Sequence, residues 1–183
     1  MAHTNLDKFD NGWYKPGKPT VICALWYFTN LLFFQSGLIP TSTLLIRLLR
    51  LFGATIGEGV VIKPHTNIKY PWNLAVGDHS WIGENVWIDN LATVTIGSHV
   101  CISQGALLLC GNHNYKKTTF DLIVGKITIQ NGAWIGAKSI VCADVICGEE
   151  SVLSVGSVAS TNLEPNNIYR GNPAVTVRMR YKK

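Results

Sequence analysis

Aliphatic residues recur at every sixth position through long stretches of this 183-residue chain. The spacing matches neither the 3.6-residue period of a helix nor the two-residue alternation of a strand. A fixed repeat that persists along a sequence indicates a solenoid, in which each unit packs against its neighbours. The recurring residues are Ile56, Ile62, Ile68, Val76, Ile82, Ile88, Ile96, Ile102, Leu108, Ile129, Ile135, Val141, Cys147, Leu153 and Ala159.

The residue two positions before each of these is small or aliphatic, and the residue after it is often glycine, which suits a tight corner. Residues two apart in a strand share a face, so both rows are predicted to point inward. Three six-residue sides then close a triangular coil, and successive coils stack at about 4.8 Å, the spacing of hydrogen-bonded strands. The sequence therefore predicts an all-β fold, a parallel β-helix of hexapeptide repeats.

The repeat is interrupted in three places. Its register skips after Ile68 and after Ile88, and the longest interruption predicts a protruding loop within residues 109–126. Insertions at the corners of repeat folds commonly carry function. We expect residues 54–183 to form the β-helical domain, with this inserted loop and a short C-terminal tail.

Residues 1–53 are predicted to form a polar leader followed by a helical cap. The apolar run from Val21 to Phe34 contains polar residues and lacks a small-residue cleavage site, so it fits neither a signal peptide nor a complete membrane span. The following segment has leucines at helical spacing from Leu44 to Leu49 and predicts an amphipathic helix. Both segments suit a cap on the core and leave peripheral membrane contact open.

The formal net charge is +5, but the basic residues do not form an aromatic-interleaved patch that would read nucleic acid. No nucleic-acid partner is therefore expected, whereas a small anionic ligand fits this charge. The five cysteines are odd in number and contain no C-x-x-C pair, which disfavours a disulfide scaffold or a zinc knuckle. A reducing cytoplasm suits this composition.

The pattern [LIV]-[GAED]-x-x-[STAV]-x over residues 54–175 resembles that of the hexapeptide-repeat acyltransferases. The resemblance implies a left-handed β-helix, acetyl-CoA as co-substrate without a resident metal, and a homotrimer with active sites between subunits. The stretches Trp87–Asn90, Cys101–Gly105 and Gly111–His113 resemble, more narrowly, the colanic-acid biosynthesis branch of the sugar O-acetyltransferases. That branch implies a saccharide acceptor, a role in surface polysaccharide biosynthesis, and a cytoplasmic location that extends to the inner face of the membrane.

A sugar hydroxyl is a poor nucleophile, so its acetylation needs a neutral imidazole that takes the proton during attack on the thioester. His113 opens the inserted loop within Gly111–Tyr115, which resembles the catalytic G-x-H segment of the family. The resemblance also places an acceptor-binding residue one coil earlier, at Asp89 or Asn90. Asn112 and Tyr115 complete the predicted acceptor site.

For the donor, the resemblance places the pantetheine arm of CoA in a groove between coils. The segment Trp134–Ala137 resembles one wall of that groove, Val155–Ser160 resembles a later wall, and the G-N-P-A ending supplies arginines for the CoA phosphates. Thr161 stands where the family has lysine, which predicts weaker phosphate binding. The predicted donor residues are Trp134, Gly136, Ala137, Gly156, Ser157, Ser160, Arg170 and Arg178, whereas Arg180 and Lys182 are expected in a solvated tail.

Other functions remain open from the sequence alone. His79 and His99 occupy equivalent corners and would suit a shared metal, as in gamma-type carbonic anhydrases, although Thr118 replaces the second histidine of the H-x-x-x-x-H pair. Cys110 would serve as a nucleophile activated by His113. Amino-sugar N-acetylation is the nearest variant, and a non-catalytic trimeric scaffold or membrane-docked adaptor is the competing class.

Overall fold

The computed structural model describes residues 3–181 as a parallel β-helix of about six turns behind an N-terminal helical segment. Each of the first three coils contributes three short strands. These are β1 (Thr55–Ile56), β2 (Val61–Ile62), β3 (Asn67–Ile68), β4 (Leu74–Val76), β5 (Trp81–Ile82), β6 (Trp87–Asp89), β7 (Val94–Ile96), β8 (Cys101–Ile102) and β9 (Leu107–Leu109). The fold class predicted from the repeat is confirmed.

A hairpin of two antiparallel strands follows the third coil, and the coils then resume. The hairpin and the later strands are β10 (Gly111–His113), β11 (Leu122–Val124), β12 (Ile127–Ile129), β13 (Trp134–Ile135), β14 (Ile140–Val141), β15 (Ile146–Cys147), β16 (Val152–Leu153), β17 (Val158–Ala159), β18 (Asn167–Gly171) and β19 (Ala174–Met179). The hairpin therefore lies within the predicted loop 109–126.

Equivalent strands of successive coils pair in parallel and form the three faces of the prism. Sheet A has the order β1-β4-β7-β12-β15, sheet B has β2-β5-β8-β13-β16-β18-β19, and sheet C has β3-β6-β9-β14-β17. The last strand, β19, is the exception, because it pairs antiparallel with β18. Every residue of the two predicted inward rows is buried. Hydroxyls among them bond to the backbone, as Ser80 Oγ does to Gly97 O at 2.7 Å, so most of the polar groups inside the prism are paired.

The corners of the coils turn through left-handed backbone. His65, His79 and His99 all have φ near +60° and exposed side chains, which fits their predicted corner positions. The first register skip is filled by a short 3-10 helix, Pro71–Asn73. The six-residue repeat continues after this insertion because the extra segment leaves the inward residues of one coil aligned with those of the next, as Leu74 is with Val94.

Two helical segments cover the first coil. Helix α1 (Thr20–Thr29) continues as a π-helical segment, Asn30–Gln35, and helix α2 spans Ser42–Leu51. Trp26 of α1 is buried on the side of the helix that faces the first coil, and its indole N–H donates to Ile68 O at 2.8 Å. Among residues 3–181, no helix is both long enough and apolar enough to cross a membrane.

Both ends of the described chain are tied to the β-helix. The leader contains one short 3-10 helix, Leu6–Lys8, and the Asn5 N–H donates to Thr118 O at 2.7 Å. At the other end, Arg180 Nη1 lies 2.8 Å from Gly132 O and 2.9 Å from a Glu150 carboxylate oxygen. The expectation of a solvated tail is therefore wrong for Arg180, while Lys182 lies outside the described residues.

The inward rows should dominate stability. Ile135 is fully buried in β13, whereas Ile146 points outward from β15 and is 43% exposed. We expect Ile135→Ala to lower the free energy of unfolding by about 2–5 kcal/mol, since it leaves a cavity in a packed interior. Ile146→Ala should cost within about 0.5 kcal/mol. Urea unfolding followed by circular dichroism measures both, and equal losses would contradict the inward assignment.

Candidate active site

A cavity of about 790 Å³ lies where the β10–β11 hairpin meets the first three coils. This volume is within the usual range for small-molecule sites. The chain segments that form its walls come from the leader, the first three coils and the hairpin. The lining residues are Phe9, Asn11, Tyr14, Pro16, Lys69, Tyr70, Asp89, Leu91, Leu109, Gly111, Asn112, His113 and Leu122.

His113 ends β10 and lines this cavity with a fixed orientation. Its Nδ1 lies 2.9 Å from Phe120 O, and its ring stacks on the Phe120 ring with centroids 4.4 Å apart. A carbonyl oxygen can only accept a hydrogen bond, so Nδ1 must be the nitrogen that carries the proton. The Nε2 atom of the neutral ring is therefore unprotonated and basic.

The structure separates the two candidates at the end of β6. Asp89 lines the cavity, and its carboxylate pairs with Lys69 Nζ at 2.9 Å. Asn90 is fully buried, and its side-chain oxygen accepts the Tyr70 N–H at 2.9 Å while its amide nitrogen donates to Tyr70 O. Asn90 thus links two coils, and Asp89 is the residue of this pair that faces the cavity.

Asn112 and Tyr115 differ in position, although both were predicted to bind the acceptor. Asn112 lines the cavity, and its side-chain oxygen accepts the His113 backbone N–H at 2.8 Å. Tyr115 lies on the turn of the hairpin, is 75% exposed and falls outside the cavity lining. Asn112 consequently both shapes the loop and borders the site.

The leader supplies residues that sequence reasoning missed. Phe9 lies against His113 with ring centroids 5.6 Å apart, and the Tyr14 hydroxyl donates to Leu91 O at 2.9 Å. Burial, with a smaller effect of nearby Tyr70 and Asp89, raises the pKa of Tyr14 well above its ordinary value, so this phenol remains protonated. The aromatic residues within the otherwise polar leader were the available signal, because such residues usually pack when a surface is within reach.

A second cavity, of about 460 Å³, runs along the outer face of sheet B and the adjacent corner. Its lining includes three predicted donor residues, Trp134, Gly136 and Ala137. The Trp134 indole N–H donates to Ser103 Oγ at 2.9 Å and spans two coils. A Cβ on Gly136 would lie 2.6 Å from Leu153 O and from Val155 N, so only glycine permits the close approach of these coils.

The other predicted donor residues lie outside the lining of this groove. Ser157 points inward, and its hydroxyl accepts the Gly171 N–H at 3.0 Å. Gly156 and Ser160 are exposed on the last coil. Arg170 and Arg178 are exposed on β18 and β19, where Arg178 pairs across the strands with Ile168, a groove residue.

The geometry is less favourable for the two other sites considered, a metal site at His79 and His99 and a nucleophile at Cys110. The rings of His79 and His99 stack with centroids 5.3 Å apart. Within residues 3–181, however, no group of three or more histidine, cysteine or acidic side chains is arranged to hold a metal ion. Cys110 is fully buried, and burial raises the pKa of its thiol to about 11. The thiol therefore stays protonated at neutral pH and is a poor nucleophile.

Parallel coils, a hairpin histidine and a groove between coils define the class of hexapeptide-repeat acyltransferases. The chain is 40% identical over 133 residues, or 73% of each chain, to the Escherichia coli K12 protein named "Putative colanic acid biosynthesis acetyltransferase WcaF". It is 30% identical over 128 residues to the galactoside O-acetyltransferase of the same organism, covering 68% of this chain and 63% of that protein. It therefore belongs to the hexapeptide-repeat acetyltransferase family that includes these sugar-acetylating enzymes.

The fold is also that of solved members. A hexapeptide-repeat-containing acetyltransferase from Vibrio cholerae O1 biovar eltor, complexed with acetyl coenzyme A, superposes with a TM-score of 0.79 over 88% of each chain at 22% identity. No protein-family model matches the chain. The predictions of an acetyltransferase and of acetyl-CoA as its co-substrate are confirmed.

Proposed function

We propose that the protein transfers an acetyl group from acetyl-CoA to a saccharide hydroxyl in surface polysaccharide biosynthesis, with His113 as general base. The observation that carries the proposal is the bond between His113 Nδ1 and Phe120 O, which makes Nε2 the basic nitrogen in a cavity suited to a sugar. The relationship to the E. coli colanic acid protein supports the polysaccharide role.

In the proposed reaction, the acceptor hydroxyl attacks the thioester carbonyl carbon while His113 Nε2 takes its proton. The tetrahedral intermediate then collapses, the carbon–sulfur bond breaks, and the CoA thiolate receives the proton from the imidazolium. The products are the sugar acetate and free CoA. The Phe120 carbonyl stabilises the imidazolium because it accepts the Nδ1 proton throughout the cycle.

Asp89 and Asn112 are the acceptor contacts that we propose, because both line the cavity with His113. The Lys69 ammonium balances the negative charge of Asp89 and fixes the position of its carboxylate. The carboxylate lone pairs that Lys69 does not use can accept hydrogen bonds from the sugar. For the donor, we propose that the pantetheine arm lies along Trp134, Gly136 and Ala137. Arg178, on the strand beside the groove, is then the nearest predicted partner for the phosphates.

We further propose a homotrimer. The outward residues of sheet C are mainly apolar and include Trp87, Leu107, Ile140 and Val158, whereas sheet A presents mostly threonine and alanine outward. An apolar outer row of this kind marks an interaction surface. Sheet B also presents apolar residues outward, such as Trp81 and Trp134, but it carries the proposed donor groove. Sheet C is therefore the face that we assign to contact between subunits.

We also propose a location in the cytoplasm with contact to the inner face of the membrane. Val21, Leu25, Phe28 and Leu32 are exposed along α1 and its π-helical extension, on the side away from the β-helix. Lys18 precedes this helical segment and no charged residue follows before Arg47. An apolar helix face with flanking basic residues suits an anionic lipid surface.

Removal of the His113 imidazole tests the proposed general base. We expect His113→Ala to bind acetyl-CoA as the native protein does but to lose about 10²–10⁴-fold in kcat/KM, because the general base is removed. Isothermal titration and a transfer assay over methyl glycosides and amino sugars measure both quantities. Cys110→Ser is the matched control and should retain activity, since the thiol lies in the core and its hydrogen bond to Ala92 O remains available to a hydroxyl.

Three outcomes would count against this mechanism. A folded native protein that fails to bind acetyl-CoA would exclude the proposed donor site. Loss of activity in Cys110→Ser with retention in His113→Ala would indicate an acyl-enzyme route. Transfer confined to amino sugars would assign the enzyme to N-acetylation.

If the protein is a trimer, its mass in solution should be three times that of the 20.1 kDa chain. Leu107→Glu, which places a charge in the apolar row of sheet C, should shift the protein to monomers because an unpaired charge is costly to bury. Thr95→Glu makes the matched change on the outer face of sheet A and should leave the trimer intact. Light scattering coupled to size exclusion checks both variants, and a monomeric native protein would refute the assembly.

The membrane contact predicts co-sedimentation with vesicles that contain phosphatidylglycerol. The double variant Phe28→Ser, Leu32→Ser should lose most of the bound fraction because it removes two apolar side chains from the exposed face. Val175→Ser, an exposed position on β19, is the control and should bind as the native protein does. Equal binding by all three proteins would argue against this face.

A further inference from the structure

A third cavity, of about 440 Å³, lies between the N-terminal helices and the first coil. It adjoins the catalytic cavity, because Lys69 and Tyr70 line both. Its other lining residues are Cys23, Trp26, Tyr27, Asn30, Gln35 and Asn67. The two cavities therefore form neighbouring compartments with a shared wall.

Three side-chain amides converge in this third cavity. Asn67 Oδ1 accepts from Asn30 Nδ2 at 2.8 Å and from Gln35 Nε2 at 3.3 Å. Among residues 3–181, the structure shows no protein partner for Asn67 Nδ2 or Gln35 Oε1, which leaves one amide NH2 group and one amide oxygen free for a ligand. Amides suit sugar hydroxyls, because each hydroxyl both donates and accepts.

The convergence depends on the π-helical segment Asn30–Gln35. In an α-helix with 3.6 residues per turn, residues five apart lie on different sides. The i to i+5 repeat of a π-helix brings Asn30 and Gln35 onto the same side, above Asn67. Segments of this kind are rare and frequently occur at functional sites.

Aromatic rings complete the walls. Tyr70 stacks on Trp72 with centroids 5.1 Å apart and so holds a fixed orientation between the two cavities. Tyr27 borders the third cavity and is largely exposed to solvent. Apolar ring faces together with a few convergent polar groups are typical of sites that bind small polar molecules.

The charge of the lining favours a neutral ligand. Lys69 is the one cation among the lining residues, and it is paired with Asp89 at 2.9 Å. An anionic ligand would have to compete with that carboxylate. A neutral sugar needs only the free amide groups and the aromatic walls.

We propose that this cavity is a second sugar subsite, so that the acceptor is an oligosaccharide rather than a single sugar. The acetylated residue lies beside His113, and a neighbouring neutral residue lies beneath the π-helical segment, against Gln35 and Asn67. This inference rests on the proposed sugar O-acetyltransferase function and assigns the substrate its minimum length, a disaccharide.

The test compares kcat/KM for acceptors of increasing length. The probes are methyl glycosides of galactose, glucose and fucose, and disaccharides and tetrasaccharides that carry each sugar at either end. We expect the native protein to favour the longer form of its best acceptor at least tenfold. Gln35→Met and Asn67→Asp should reduce that preference to less than threefold while leaving the rate on the methyl glycoside within twofold.

Ser36→Ala is the matched control. Ser36 lies next to Gln35 but is exposed outside the cavity, with its hydroxyl bonded to Leu32 O, so the length preference should be unchanged. Thermal unfolding of each variant confirms that the cap remains folded. The conservative Asn67→Asp variant keeps the oxygen that receives Asn30 and Gln35, so a loss of length preference reports the free amide donor.

The outcomes separate this inference from the function on which it rests. Equal rates on short and long acceptors, or equal losses on both in Gln35→Met, would overturn the second subsite while the acetyltransferase mechanism stands. Acetyl-CoA binding without transfer to any sugar would overturn the proposed function and the subsite with it.

Discussion

Stacking of each coil on the next is the interaction on which the rest of the molecule depends. Equivalent strands exchange backbone hydrogen bonds across the coils, as Trp81 N–H does to Val100 O and Trp134 N–H to Ser151 O, each at 2.8 Å. The same stacking buries both inward rows, which a single coil could not do alone. Because every coil repeats the same corner geometry, an insertion at one corner leaves the register of the others unchanged.

The candidate active site is built on such an insertion. The β10–β11 hairpin leaves the prism after the third coil and returns before the fourth, so His113 stands outside the stack but on a rigid base. Its orientation comes from the Phe120 carbonyl on the returning half of the loop. The leader then crosses to the hairpin, with Asn5 bonded to Thr118 and Phe9 against the imidazole, and closes one side of the cavity.

The N-terminal cap has two faces with different roles. A solenoid needs its terminal coil covered, and Trp26, Leu45 and Leu49 do this with fully packed side chains. The π-helical segment turns additional polar residues toward the first coil, where Asn30 and Gln35 meet Asn67. The opposite face keeps its apolar residues exposed, and the proposed membrane contact draws on that exposure.

The sequence by itself determined the β-helix, the two inward rows, the position of the inserted loop and the choice of His113. The first three follow from local rules, because strand alternation and corner glycines act within a few residues of each other. His113 was chosen because its segment resembles the G-x-H segment of the family. The resemblance to the family also singled out Trp134, Gly136 and Ala137, three residues that the structure places together in the lining of the second cavity.

Only the tertiary structure decided which polar residues face the cavity. Asp89 and Asn90 are neighbours in the sequence, yet Asp89 pairs with Lys69 in the cavity, whereas Asn90 links two coils through Tyr70. The leader residues Phe9 and Tyr14, and the amide cluster around Asn67, come from segments about 30 to 100 positions away from their partners along the chain. No local pattern encodes such contacts, because they arise when separate segments pack on the finished stack.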